Sequence, residues 1–161
     1  MRTISADTYA MSNPALTSLL LWQFAKSYRE AGGAAPALPL SFIVLPIAMS
    51  GPAIRSFAGT NRTTGFLTWL SRRPELMIEL ASNIADARDL TSEALSFGIA
   101  YRLFTINSDG ALAANSNAVE LKKTGLRLDE RVGMLRVAQR LGSWTSQLPD
   151  ATVFFSLGVA P

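Results

Sequence analysis

The sequence predicts a mainly helical domain that contains one small β-hairpin, an α+β fold. Apolar residues recur at helical spacing through most of the chain, first in a segment that opens at Asn13-Pro14 and last over 130–148. Between them, a β-rich run at 103–106 is followed by Asn107-Ser108-Asp109-Gly110 and by a second short run at 111–114. Because Gly110 can take the positive φ that a tight turn requires, we expect two antiparallel strands there.

The hairpin follows directly on a helical pattern that begins at Thr91. Ala94, Phe97 and Tyr101 recur at helical spacing, Thr91 can cap the helix, and Glu93 stands in its first turn. A helix that runs into two short strands resembles the recognition helix and wing of a winged helix. We therefore expect a winged-helix-like core with an N-terminal core helix and a C-terminal strand.

The chain divides at its first helix. Residues 1–12 are predicted to form an irregular tail, and 13–161 a single winged-helix-like domain. The first helix runs from Asn13-Pro14 to about Ala31, ends at Gly32-Gly33, and is apolar on more than one side. We expect a central core helix. The alternative is that part of it, Leu21, Trp22 and Ala25, stays free for a partner protein.

The middle of the chain is less regular. Pro39 to Met49 is apolar throughout, so periodicity leaves both a strand and a buried helix kinked at Pro46 open, and we favour the helix. Residues 54–64 are predicted to form a surface loop, and a short helical turn follows at Phe66, Leu67 and Leu70. A further helix opens at Pro74, and Asp89-Leu90 is the expected turn into the Thr91 helix.

The C-terminal part begins with a polar, basic connector over 115–129. A helix over about 130–148 is expected to bury apolar residues such as Met134 and Trp144 and to end at Pro149-Asp150. Residues 151–159 are then predicted to form a closing strand. Its exposed edge would offer Phe155, Leu157 and Val159 to a partner.

Composition excludes several kinds of chemistry. The 161 residues include no cysteine and no histidine, which excludes disulfides, thiolate chemistry and a histidine general base. No Walker-type loop, GxGxxG or GxSxG motif occurs. We expect no enzyme activity and no cofactor. The polar N-terminus and the interrupted apolar runs predict neither a secreted nor a membrane protein, so we expect a cytoplasmic location.

Basic residues cluster in two stretches of a chain whose net charge is +3. Arginines are unopposed by acids over 50–74, and basic residues outnumber acids over 121–141. These side chains are the candidate contacts to nucleic acid or to an acidic partner: Arg55, Arg62, Arg72, Arg73, Lys122, Lys123, Arg136 and Arg140.

An acidic block separates the two basic stretches. It comprises Glu75, Glu79, Asp86, Asp89 and Glu93. We interpret these carboxylates as a solvated helix face rather than a metal site. Since Asp89 and Glu93 would meet a polyanion at the leading end of the Thr91 helix, this helix is predicted to contact a protein instead of DNA, with Asp89 and Glu93 at the contact.

Five segments resemble one family over nearly the whole chain. They are SNPALTSLLLWQFAKSY, LPLSFIVLPIAM with Arg55 after it, TSEALSFGIAYRLFTINSDGAL, RVAQRLGSW and the terminal FFSLGVAP. Their order and spacing are similar to those of the middle component of bacterial ABC-three-component systems, the Lamassu-like antiphage operons. The resemblance implies a non-enzymatic adaptor that links an SMC- or Rad50-like ABC ATPase to an effector, commonly a nuclease, with DNA reached through the complex.

The sequence therefore supports two alternative functions. In the first, the chain is an adaptor whose Trp22 helix or 151–159 edge strand docks on the ATPase or effector by helix-in-groove contact or strand addition. In the second, it is a stand-alone winged-helix regulator that binds duplex DNA through its flanking arginines.

Overall fold

The computed structural model describes residues 13–120 and 130–160. The predicted tail over 1–12 lies outside the described residues, as do Lys122 and Lys123 in the connector. The α-helices are α1 (Pro14–Gly32), α2 (Val44–Ala48), α3 (Gly51–Ser56), α4 (Phe66–Arg72), α5 (Met77–Asp86), α6 (Arg88–Ala100), α7 (Glu130–Thr145) and α8 (Asp150–Leu157). Two 3-10 helices span Leu38–Ile43 and Pro74–Leu76, and the strands are β1 (Phe104–Ile106) and β2 (Leu112–Ala114). The mainly helical fold with one hairpin is confirmed.

Helix α1 is the centre of the molecule. The Asn13 side chain accepts a hydrogen bond from Ala15 N at 2.8 Å, Pro14 fills the first turn, and Gly33 ends the helix at φ 82°. Helices α6 and α7 both pack along it, and Leu20, Leu21 and Trp22 are fully buried. The predicted core helix is confirmed. Because other helices cover α1 on several sides, it carries apolar residues on several sides.

The apolar run after α1 is helical, as favoured from the sequence. It begins as the 3-10 helix and becomes α-helical between Ile43 and Val44. Pro46 lies in the first turn of α2, where its missing N–H is not needed, so the change of helix type precedes the proline. The predicted loop over 54–64 is wrong at its start, because Ile54, Arg55 and Ser56 belong to α3.

The hairpin forms where the sequence predicts it. Strands β1 and β2 are antiparallel with Thr105 opposite Ala113, and Gly110 takes φ 81° in the turn. The linker after α1 pairs with the other side of β2, since Leu112 N donates to Pro36 O at 2.7 Å and Ala37 bridges Ala111. This pairing ties the hairpin to the end of α1.

Thr91 does not cap the helix before the hairpin, so the predicted start of this helix is wrong. Helix α6 begins three residues earlier, at Arg88, with Asp89 in its first turn. Thr91 lies inside the helix and is fully buried. The expected turn at Asp89-Leu90 is therefore at Ala87, where α5 ends and α6 begins with almost no break.

The predicted C-terminal strand is wrong. Residues Asp150–Leu157 form α8, which follows Pro149 and ends at Gly158 with φ 71°. An acid in the first turn and a left-handed glycine at the end are ordinary helix signals, and they outweigh the β-propensity of the apolar run between them. The strand-addition contact expected of this segment is removed with the strand.

Candidate functional site

Three of the predicted basic residues meet at one pocket. Arg55 comes from the last turn of α3, while Arg136 and Arg140 lie one turn apart on α7. All three line a cavity of about 390 Å³ whose other walls include Ile54, Phe57, Gly59, Thr60 and Val137. None of the described residues that line this cavity is acidic. We call it the arginine pocket.

Arg140 is held in place by the turn after α3. Its Nη1 donates to the carbonyl oxygen of Thr60 at 3.0 Å and to Thr60 Oγ1 at 2.9 Å. The Thr60 hydroxyl in turn donates to Phe57 O at 2.6 Å. Both contacts use one guanidinium nitrogen, so the remaining N–H groups of Arg140 stay available for another acceptor.

The electrostatics of the pocket favour an anion. Burial lowers the pKa of the Arg140 guanidinium, and the positive charge of Arg136 lowers it further. The guanidinium nevertheless remains charged at neutral pH, because the ordinary arginine pKa lies so high. Neither Arg55 nor Arg136 forms an ion pair within the described part of the chain.

An aromatic cluster supports the wall of the pocket. Phe57 stacks on Trp144 with ring centroids 5.2 Å apart and planes at 12°, and Trp69 packs against both rings. The indole of Trp69 donates to Ser56 Oγ at 2.8 Å, and that of Trp144 donates to Asn61 O at 3.1 Å. The turn that holds Arg140 is thus fixed from behind by buried rings.

The other predicted basic residues lie elsewhere. Arg62 lines a different cavity of about 480 Å³, formed with Phe66, Thr68 and Gln147. Arg72 ends α4, and Arg73 follows it with its Nη1 3.9 Å from Glu75 Oε1, an exposed pair of small energetic weight. The structure therefore separates the basic residues that sequence reasoning grouped by charge alone.

Part of the expected partner surface is buried. The side chains of Leu21 and Trp22 are fully buried and Ala25 is 1% exposed, so their prediction as partner contacts is wrong for the folded chain. Trp22 instead donates from Nε1 to Asn115 O at 2.8 Å, which joins α1 to the residue after β2. Leu157 is also buried, because α8 turns it inward.

Phe155 is the opposite case. Its side chain is 88% exposed on α8, and Ile78 on the contacting helix α5 is 82% exposed. Residues of the same two helices, among them Ile84 and Phe154, line a groove of about 380 Å³ together with Phe42 and Val159; its lining is mainly apolar, with Arg88 as its charged residue. We call Phe155, Ile78 and this groove the Phe155 surface.

Sequence reasoning missed Ile78 and the groove. Leu76, Leu80 and Ile84 form the apolar stripe of this segment, and Ile78 lies outside that stripe. This position is the sequence signal that Ile78 faces solvent. The groove itself depends on the contact between α5 and α8, for which the sequence carries no local signal.

The acidic residues lie at the surface, as the sequence predicts. Asp89 and Glu93 are exposed on the first half of α6, and Glu75, Glu79 and Asp86 are exposed before and along α5. Within 13–120 and 130–160, no group of three or more acidic side chains is arranged to hold a metal ion. In the same ranges no helix is both long and apolar enough to cross a membrane.

Comparison with known proteins identifies a family. The family model of the ABC-three component (ABC-3C) system Middle Component 3 matches residues 1–161, the whole of this chain. Searches of curated proteins and of solved structures returned no match. Since a model of the family covers the full sequence, the chain belongs to the middle components of ABC-three-component systems.

Proposed function

We propose that this chain is a non-catalytic adaptor that links an SMC- or Rad50-like ABC ATPase to an effector of the nuclease class in a Lamassu-like antiphage complex. Membership in a family of middle components supports a role between two other subunits. The single structural observation that carries the proposal is the Phe155 surface. Phe155 and Ile78, at 88% and 82% exposure, stand on two contacting helices that also line an apolar groove, and a contiguous exposed apolar patch marks a site of protein–protein contact.

The Phe155 surface suits an amphipathic helix from the ATPase or the effector. Apolar side chains of such a helix would enter the groove between Phe42, Ile84 and Val159, and Phe155 and Ile78 would pack against its flank. Arg88 at the groove would receive an acidic side chain from the partner helix. Asp89 and Glu93 on the same helix as Arg88 give a second, acidic contact to the other partner.

The adaptor acts in a cytoplasmic complex that holds DNA. In it, the DNA is bound chiefly by the ATPase, and the arginines of this chain contribute to the same face of the assembly.

Co-expression tests the adaptor role. The chain is produced with the ATPase and effector encoded beside it, and affinity purification of any one subunit is expected to recover all three. A chain that stays monomeric and recovers neither the ATPase nor the effector would contradict the proposal. The Phe155 surface is tested with Phe155→Asp and Ile78→Asp, each expected to release one partner while leaving thermal unfolding of the chain unchanged.

A matched control is Leu67→Asp, which places the same charge at another exposed apolar position, 45% exposed on α4. This variant is expected to keep both partners. Equal loss of a partner in all three variants would mean that added charge, and not the Phe155 surface, disrupts the complex.

A stand-alone winged-helix DNA regulator is the second candidate. One observation favours it: a long helix, a bridge at Ala37, further helices and a hairpin follow one another along the chain, which resembles a winged helix with additional helices before the hairpin. The exposed carboxylates of Asp89 and Glu93 disfavour it, because they would approach DNA phosphates first. Duplex titrations that stay flat at low salt would exclude this regulator.

A further inference from the structure

The arginine pocket has the construction of an anion site rather than of a chance cluster of surface charge. Two elements that are far apart in sequence, α3 and α7, supply the three arginines that line it. A buried aromatic cluster fixes the wall, and two hydrogen bonds to Thr60 orient Arg140 before any ligand arrives. Preorganised donors lose less entropy on binding than donors on free side chains do.

The charges of the pocket are not balanced within the described chain. Arg55 and Arg136 are exposed and without an ion pair there, and Arg140 is partly buried beside Arg136. Like charges held close together raise the energy of the empty pocket, and an anion placed among them relieves that repulsion. The pocket therefore gains more from an anion than an isolated exposed arginine would.

Guanidinium groups select the kind of anion. Each presents a planar fork of N–H donors that matches two oxygens of a phosphate or carboxylate. The three arginines that line the cavity carry more N–H donors than a single carboxylate, with its two oxygens, can accept, whereas a phosphate group presents more acceptor oxygens. The volume of about 390 Å³ also exceeds what one carboxylate fills.

We propose that Arg55, Arg136 and Arg140 form a phosphate-binding pocket. The phosphate belongs either to the backbone of a nucleic acid or to a free nucleotide, which share the chemistry that the pocket recognises. This inference does not depend on the adaptor role, since it concerns a pocket contained within one chain.

Binding to the purified full-length chain tests the pocket. Four probes are titrated at low salt with tryptophan fluorescence as the readout, because Trp144 stacks on the Phe57 wall: inorganic pyrophosphate, ATP, a single-stranded oligothymidylate and a DNA hairpin duplex. Saturation by the DNA probes alone assigns the phosphate to nucleic-acid backbone. Saturation by pyrophosphate and ATP without the DNA probes assigns it to a free nucleotide, and saturation by all four shows a pocket that accepts phosphate from both sources. Each of these results supports a phosphate pocket.

Substitutions locate the binding. Arg136→Gln and Arg55→Gln are each expected to weaken the saturating probe about tenfold, the effect of losing one charge-assisted hydrogen bond. If the ligand is DNA, each should also reduce the salt slope of binding by about one. Arg29→Gln, which removes an exposed arginine from the last turn of α1, is the matched control and is expected to bind as the parent chain does.

Arg140 needs a separate variant because it also supports the fold. Arg140→Lys keeps the charge but loses the fork, so it is expected to bind more weakly than the parent and more tightly than Arg140→Gln, with circular dichroism confirming that both variants fold. Flat titrations with all four probes would overturn the proposal. An Arg29→Gln effect as large as that of Arg136→Gln would overturn it as well, because binding would then follow net charge and not the pocket.

Discussion

Gly142 of α7 lies directly against the backbone carbonyl oxygen of Phe24 in α1. A Cβ atom at residue 142 would collide with that oxygen and would stand 2.9 Å from Tyr28 N and 3.0 Å from Ser27 Cβ. Two of these neighbours are backbone atoms of the central helix, which cannot move unless the helix moves. This close contact between α1 and α7 therefore depends on the absence of a side chain at residue 142.

We expect Gly142→Ala to lower the free energy of unfolding by about 1–3 kcal/mol, the usual cost of overpacking a core. Gly133→Ala is the control in the same helix, since a Cβ there would lie 3.6 Å from Ile54 Cγ2, an ordinary contact. It should raise stability by up to about 1 kcal/mol, because alanine is the better helix former. Urea unfolding of both variants measures the difference, and equal effects would contradict the close crossing.

The junction of α6 and the hairpin contains a second close approach. Gly98 faces the ring of Phe104, and a Cβ at residue 98 would lie 2.6 Å from Cε1 and 2.7 Å from Cε2. Gly98→Ala is expected to lower stability by about 1–3 kcal/mol. In a Phe104→Leu background the added cost should shrink by at least about 0.5 kcal/mol, because the clashing ring is gone. Additive losses in this double-mutant cycle would rule out the contact.

Thr91 carries a buried hydroxyl that finds no hydrogen-bond partner among the described residues. Removing such a group restores about 1 kcal/mol or more, so Thr91→Val is expected to raise the unfolding free energy. Thr145→Val is the matched control, since that buried hydroxyl donates to Leu141 O at 2.7 Å. It is expected to lower stability by about 0.5–1.5 kcal/mol. If calorimetry finds both variants destabilised, Thr91 has a partner in solution.

The raised pKa of the Tyr28 phenol predicts how the stability of the fold responds to high pH. Burial raises the pKa of its phenol above the ordinary 10.0, and the negative charge of Asp150 raises it further. The folded chain then binds the phenol proton more tightly than the unfolded chain does. The protonated phenol therefore adds its full contribution to the free energy of unfolding below pH 10, and that contribution is lost as the pH rises through the folded pKa.

Tyr28→Phe should remove that part of the alkaline decline in stability, as measured by unfolding at several pH values. Tyr101→Phe is the control, because Tyr101 is 68% exposed at the end of α6 and keeps its ring stacking as phenylalanine. Asp150→Asn should lower the pKa of Tyr28 in an absorbance titration of the phenolate. No change in that titration would show that Asp150 does not act on Tyr28.

Local signals were enough to place most elements of this fold. The Asn13-Pro14 cap with the glycines at 32 and 33 predicts α1, and Gly110 predicts the hairpin turn, because each depends only on neighbours in the chain. Helix α8, which is expected from the sequence to be a strand, had helix signals at Asp150 and Gly158 that β-propensity obscured. A short apolar run fits the period of a helix and that of a strand equally well, so the flanking residues decide which of the two it forms.

The sequence by itself determined the helical character of this chain, its hairpin, its family resemblance and the absence of cysteine and histidine chemistry. Tertiary structure alone decided which apolar residues face outward: Trp22 is fully buried, whereas Phe155 is exposed, because burial depends on which helices cover a side chain and not on its hydrophobicity. It also decided that Arg55 lines one cavity with Arg136 and Arg140, although both are more than 80 positions away in the sequence. Charge shows in a sequence, but proximity between distant segments arises only from packing.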